Sequence, residues 1–184
     1  MNEEVEIKVK IQNPQETESK ILSIAKFIKQ KQQIDQYTDA KNLFFGQNPI
    51  SEYLRVRTEG NKSILGYHYC HFNPDGSLLK TDEYEIEVND SQMAVTILEK
   101  IGFEIIVTVT KTRSVYETDD YEITLDHIKE LGYFLELEYK GNSTDFNKTK
   151  EEMYKFLDNL EILYEQVPEG GFPDLIYKKI HPGK

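Results

Sequence analysis

Glu4-Val5-Glu6-Ile7-Lys8 alternates charged and apolar side chains without a break, and the alternation runs on through Val9, Lys10 and Ile11. Successive side chains of a strand point to opposite faces, so Glu4, Glu6, Lys8 and Lys10 share one face and Val5, Ile7, Val9 and Ile11 the other. The same pattern returns in Tyr53-Leu54-Arg55-Val56-Arg57, in Glu83-Tyr84-Glu85-Ile86-Glu87-Val88 and in Phe134-Leu135-Glu136-Leu137-Glu138. Several strands, each with one apolar and one charged row, are laid side by side.

With 184 residues, 38% hydrophobic and 30% charged, the chain is long enough for one substantial core and short for two, so residues 1–184 are expected to form a single domain. A formal net charge of -11 speaks against nucleic acid or an anionic membrane as partner, since both require a basic footprint. The lone Cys70 cannot form an internal disulfide. The start Met-Asn-Glu-Glu has no basic and apolar leader pattern, and no stretch has the length and hydropathy of a membrane span, so a cytoplasmic location is expected.

After the first strand, Asn13-Pro14 with Glu16 supplies a cap, a first-turn proline and a capping-box partner. Ile21, Leu22, Ile24, Ala25 and Ile28 at helical spacing predict a helix reaching about Gln32, and Gln33 to Tyr37 is expected to be extended. Strands at 52–57 and 63–72 form a hairpin about Gly60, and Asn73-Pro74-Asp75-Gly76-Ser77 turns the chain into the strand at 83–88. Asp90 and Ser91 open a helix with Met93, Ala94, Ile97, Leu98 and Ile101 as its apolar positions, stopped by Gly102. Strands at 104–116 and 121–126, a helical turn at 127–131, a strand at 133–140 and a long helix at 144–166 complete the expectation. The class is α+β, with a mainly antiparallel sheet. On pattern alone, an open sheet exposing its charged faces is the simpler architecture. A closed barrel would turn both signs of charge inward.

The chain resembles the CYTH superfamily of triphosphate tunnel enzymes, and its class IV adenylyl cyclase branch in particular. Glu4-Val5-Glu6-Ile7-Lys8 is similar to that family's ExExK signature, and the likeness continues in order. It takes in Gln33 to Tyr37, Leu54 to Arg57, Glu85-Ile86-Glu87, Ile101-Gly102-Phe103, Lys111-Thr112-Arg113 with Tyr116, Leu125-Asp126, Leu131-Gly132 and Phe134 to Glu138. Pro173-Asp174-Leu175-Ile176 resembles a worn copy of the branch's C-terminal motif. The resemblance implies an antiparallel eight-stranded closed β-barrel, a triphosphate tunnel with helices packed outside. It also implies a triphosphate ligand such as ATP, tripolyphosphate or thiamine triphosphate, and Mg²⁺ or Mn²⁺. Lys8, Arg55, Arg57, Lys111 and Arg113 match its phosphate-contacting positions, with Glu6, Glu136, Glu138 and Glu4 expected at the metal and Asp126 as a further tunnel carboxylate. Lys8, Glu4 and Asp126 are the catalytic candidates, Lys8 either contacting phosphate or helping to deprotonate a nucleophile. The chemistry fits these residue types: guanidinium forks and ammonium charges neutralise phosphate, and carboxylate oxygens suit hard divalent ions. Members of this size can pair, but no homodimer interface is legible in the sequence.

Two positions depart from the family pattern. A Leu-Thr-Tyr-Lys-like strand is replaced by Leu65-Gly66-Tyr67-His68, putting His68 where a tunnel lysine is expected, and the arginine ahead of the acidic strand is absent or displaced to Lys80. Reduced cyclase chemistry, a triphosphatase and a non-catalytic polyphosphate binder therefore stand beside the cyclase reading. His68, Cys70 and His71 do not make a zinc site, because Cys70 and His71 point to opposite sides of a strand. The absence of a Gly-rich phosphate loop and of a nucleophile elbow excludes Walker-type NTPases and serine hydrolases.

Overall fold

The computed structural model describes residues 2–167 and 171–182. In chain order the elements are β1 (Asn2–Glu4), β2 (Glu6–Ile11), α1 (Pro14–Leu22), β3 (Lys26–Asp39), β4 (Glu52–Glu59), β5 (Lys62–Phe72), β6 (Leu78–Val88) and α2 (Ser91–Lys100). They continue with β7 (Glu104–Glu117), β8 (Tyr121–Ile128), β9 (Gly132–Tyr139), α3 (Phe146–Asn159), β10 (Tyr164–Gln166) and α4 (Phe172–Ile180). The α+β class is thus observed, with antiparallel pairing in the ladders β3–β4, β4–β5, β5–β6, β8–β9, β2–β9 and β2–β10.

The strand order is β1-β6-β5-β4-β3-β7-β8-β9-β2-β10. This differs from the expected eight-stranded closed barrel: the described strands number ten, and the order has two ends. The first expected strand is divided at Val5, with β1 beside β6 and β2 between β9 and β10. The added tenth strand comes from Tyr164–Gln166, where a helix is expected from the sequence, and it pairs with Ile11, Lys10 and Val9.

The chain divides into two compact units. One comprises residues 1–3, 32–111 and 169–184, the other residues 4–31 and 112–168. In the second unit, Val5, Ile7, Val9, Ile11, Ile123, Leu135 and Leu137 form the apolar row of the sheet, and Ile21 of α1 and Met153 and Leu157 of α3 cover it. In the first unit α2 packs Val95 and Leu98 against Val56, with Leu54 and Leu65 alongside. Each core is the apolar half of the alternation; the charged half is left to face the other way.

The helices begin where the sequence predicts and end differently. The Asn13 side chain accepts the Glu16 amide at 3.4 Å and its amide donates to the Glu16 carboxylate at 2.9 Å, and Asp90 accepts the Met93 amide at 2.9 Å. However, α1 stops at Leu22: Ser23 caps it, its hydroxyl donating to the Lys20 carbonyl, and strand β3 begins at Lys26. Ile24 and Ile28, whose spacing suggests a longer helix, are exposed. The helical turn expected at 127–131 is instead the end of β8 and a tight turn. Met93 and Ile97 of α2, and Ile101 that caps it, are exposed rather than buried. The C-terminal α4 has no counterpart in the sequence reading; it is fixed in its unit by the Tyr53 hydroxyl, which donates to the buried Asp174 at 2.8 Å.

Leu135 is fully buried on β9, between β8 and β2. Leu135→Ala should cost roughly 2–5 kcal/mol through lost burial and a residual cavity, read as a lower urea midpoint; an unchanged midpoint would contradict this core assignment.

Candidate active site

The charged rows gather into one cluster in each unit. In the second unit, Lys8 on β2 lies opposite Glu136 on β9, and Glu136 lies opposite Thr124 on β8. The Lys8 ammonium is 3.2 Å from one Glu136 oxygen. Arg113, on β7, forks onto Asp126 with Nε at 2.8 Å and NH2 at 2.5 Å from its two oxygens, and the same NH2 donates to Glu136. Asp126 is 1% exposed, so the fork is held in a low-dielectric setting where bidentate pairing has its greatest directional force. Burial opposes the charge of Arg113, but Glu136 and Asp126 outweigh it and raise its pKa further.

Beside this knot runs a row of carboxylates. Glu6 lies opposite Glu138, and Glu138 lies opposite Glu122, so three neighbouring strands each place an acid on the same face. Carboxylate oxygens are the donors that hard divalent cations take, so Glu6, Glu138 and Glu122 are residues that could hold one. The hydroxyl of Thr124 is buried in this cluster without a hydrogen-bond partner among the described residues. Glu122 and Thr124 are absent from the sequence-derived set; the register opposite Glu138 and Glu136 is what identifies them. The side chain of Glu4 lies outside the described residues.

In the first unit, Asp35 of β3 is the centre. Arg57 of β4 forks onto it at 2.7 and 2.9 Å, and Arg55 approaches it at 3.9 Å. Burial works against the Asp35 carboxylate, yet the Arg57 hydrogen bond and the charges of Arg55, Arg57 and Lys111 depress its pKa well below the usual range. Arg55 also donates to Glu85 of β6 at 2.6 Å, and its Nε is buried without a partner among the described residues. Lys111 is 4% exposed and stands 5.1 Å above the ring of Phe172. His68 of β5 joins the cluster, its Nδ1 2.8 Å from Glu83 and its Nε2 3.2 Å from Glu85.

His68, Glu83 and Glu85 offer donor atoms within 4.8 Å of one another, a metal-like spacing. The Arg55 NH2 group, 3.1 Å from His68 Nε2, already takes the cation's place between His68 and Glu85. Lys80 does not replace the missing arginine. It alternates with Glu83 and Glu85 onto the opposite face of β6 and pairs with Asp82 at 3.2 Å. Cys70 lies near Thr81 and His71 pairs with Asp82, so the two do not converge with His68 on a zinc geometry.

Residues 2–169 match the family model described as the CYTH domain. The chain belongs to the CYTH family. A relative from Methanocaldococcus jannaschii, provisionally named an adenylate cyclase, is 30% identical over 175 residues, covering 94% of this chain and 97% of its own. A solved protein of Pyrococcus horikoshii OT3 shares the CYTH fold at a TM-score of 0.79 and 24% identity, over 95% of this chain and 99% of its own. A third, from Hippeastrum, provisionally named an adenylyl cyclase and described as having a dominant triphosphatase activity, superposes at a TM-score of 0.70 and 18% identity, over 96% and 95% of the two chains.

The hydrogen bond from His68, together with Arg55, holds the Glu85 pKa down at about 2 against its burial. A depressed carboxylate contributes stability that is present above its unfolded value, near 4.5, and lost as pH falls toward 2. The melting temperature of the wild type should therefore drop relative to Glu85→Gln across that interval. A constant offset between the two would contradict the coupling.

Proposed function

We propose that this CYTH protein is a metal-dependent phosphoryl-transfer enzyme acting on a triphosphate, converting ATP to cyclic AMP and pyrophosphate. The observation that carries the reading is the buried knot of Lys8, Glu136, Arg113 and Asp126 beside the carboxylate row of Glu6, Glu138 and Glu122. Fixed guanidinium and ammonium groups stabilise charge on phosphate without reorganising during reaction. The family match over residues 2–169 supports treating residues 1–184 as a single domain. No helix among the described residues is long and apolar enough to cross a membrane, and a cytoplasmic location remains part of the proposal. Pairing into a homodimer is not needed for this reading.

Oxygen donors suit Mg²⁺ or Mn²⁺, and Glu6, Glu136 and Glu138 would hold the ion, with Glu4 as the fourth expected ligand and Glu122 added by the register. When bound, the ion would neutralise charge on the phosphate oxygens and the departing group. Lys8 and Arg113 hold phosphate in the second unit, and Arg55, Arg57 and Lys111 do so in the first. The ion pair between Lys8 and Glu136 supports a phosphate contact for Lys8 over proton removal. Asp126 acts through Arg113, fixing the plane of its guanidinium.

The choice of nucleophile sets the product. Attack of the ribose 3′-oxygen on the α-phosphorus releases pyrophosphate and gives the cyclic nucleotide; attack of water on the γ-phosphorus releases phosphate. The hydrolytic reading is favoured by the dominant triphosphatase activity described for the Hippeastrum neighbour and by His68 at an expected lysine position.

Incubation with ATP, tripolyphosphate and thiamine triphosphate, each with Mg²⁺ or Mn²⁺, should yield cyclic AMP and pyrophosphate from ATP. Phosphate alone would move the protein to the hydrolases, and binding without turnover would make it a polyphosphate-binding module. Glu136→Gln should lower metal-dependent turnover by about 10² or more when assayed well below its own melting temperature, which should itself fall because Lys8 and Arg113 lose a charged partner. Unchanged turnover would remove Glu136 from the site.

A further inference from the structure

His68 stands two residues from Gly66 on β5. Both lie on the face of β5 that carries Arg55 on one side and Glu83 and Glu85 on the other, with Gly66 opposite Arg55 and Glu85, and His68 opposite Glu83. A Cβ at position 66 would stand 3.0 Å from His68 Nε2 and 3.1 Å from a Glu85 oxygen. Glycine at 66 thus leaves room for the imidazole beside Glu85, where a Cβ would crowd both side chains.

The ring nitrogen Nε2 has two competing neighbours. Arg55 NH2, a donor only, lies 3.1 Å away, and a Glu85 oxygen, an acceptor when ionised, lies 3.2 Å away. Nδ1 faces Glu83 at 2.8 Å, so its proton is settled there. Without a proton, Nε2 accepts from Arg55 and ties the guanidinium to the imidazole. With one, it donates to Glu85 and can no longer accept from Arg55. The fixed charges around it are balanced: Arg55, Arg57 and Lys111 face Asp35, Glu83 and Glu85. The proton on His68 gives the cluster its positive excess.

We propose that His68 is a proton-operated phosphate-binding residue: its imidazolium takes over Glu85, releases Arg55 toward phosphate, and makes polyphosphate binding proton-linked. The proposal rests on the triphosphate reading above and adds its regulation. The groups that face the ring are Arg55 and Tyr53 from β4 and Glu83 and Glu85 from β6; the Tyr53 hydroxyl is engaged with Asp174, and β3 acts through Asp35 on Arg55. Burial works against the charged ring, but the hydrogen bonds to Glu83 and Glu85 overcome it and the opposing charge of Arg55, raising the His68 pKa above 6.5. The charged form is therefore the resting state below that value, and it is lost as pH rises through the raised one.

Calorimetric titration of the metal-free protein with tripolyphosphate across the imidazole range is the test, run on the wild type, His68→Lys and His68→Gln. The wild-type affinity should fall with rising pH by up to about tenfold per unit, the limit for one linked proton. This opposes the ligand's own ionisation, which favours binding at higher pH. His68→Lys should bind throughout and lose the fall, whereas His68→Gln should bind weakly at every pH. Long-range proton–nitrogen spectra of the ligand-free protein should show Nε2 losing its proton over the same interval. Identical pH profiles for wild type and His68→Lys would overturn the inference and leave the function standing. No binding by either at any pH, with Mg²⁺ added as well as without it, would overturn both.

Discussion

The guanidinium of Arg113, held between Asp126 and Glu136 on a buried face, is the interaction on which the second unit depends. Strict alternation leaves each strand with a charged row, and burying such a row is costly unless each charge meets its opposite with good geometry. Arg113 meets two carboxylates, and Lys8 meets one of them from the neighbouring strand. Removing one partner would strand the others, so the whole row is fixed by mutual neutralisation. The first unit solves the same problem with Arg55 and Arg57 around Asp35.

These pairings also set the terms of binding. Cations already satisfied by carboxylates are preorganised, but an incoming phosphate must compete with those carboxylates or share the cation. In the second unit the carboxylates outnumber the two bases, which suits a divalent ion arriving with the phosphate. In the first unit the fixed charges balance, and a single histidine decides the sign. The Nε of Arg55 is a buried donor without a hydrogen-bond partner among the described residues.

The sheet was legible because period-two alternation is a direct imprint of the pleat: Glu6 to Ile11, Tyr53 to Arg57 and Phe134 to Glu138 all lie in strands. The end of α1 was not, since Ile24 and Ile28 keep helical spacing while lying exposed outside the helix. Closure of the barrel was inferred from resemblance and is not among the strand pairings. Of the site, the bases and Glu136 could be named from the sequence because their motifs resemble the family's, and their residue types suit phosphate and metal. Their partners could not: Asp35 under Arg57, Glu85 beside His68 and Glu122 opposite Glu138 are fixed by register, which a single sequence does not state. The role of Gly66 is likewise spatial: the absence of a Cβ there leaves room for the His68 imidazole beside Glu85.

The central claim is that these neutralised rows exist to hold a triphosphate and its metal. The most direct measurement is anomalous diffraction from crystals grown with Mn²⁺ and tripolyphosphate. The account predicts a manganese peak against Glu6, Glu136 and Glu138, with phosphate oxygens on Lys8 and Arg113. Manganese bound elsewhere, with Arg113 still closed on Asp126 and no phosphate beside it, would contradict the account.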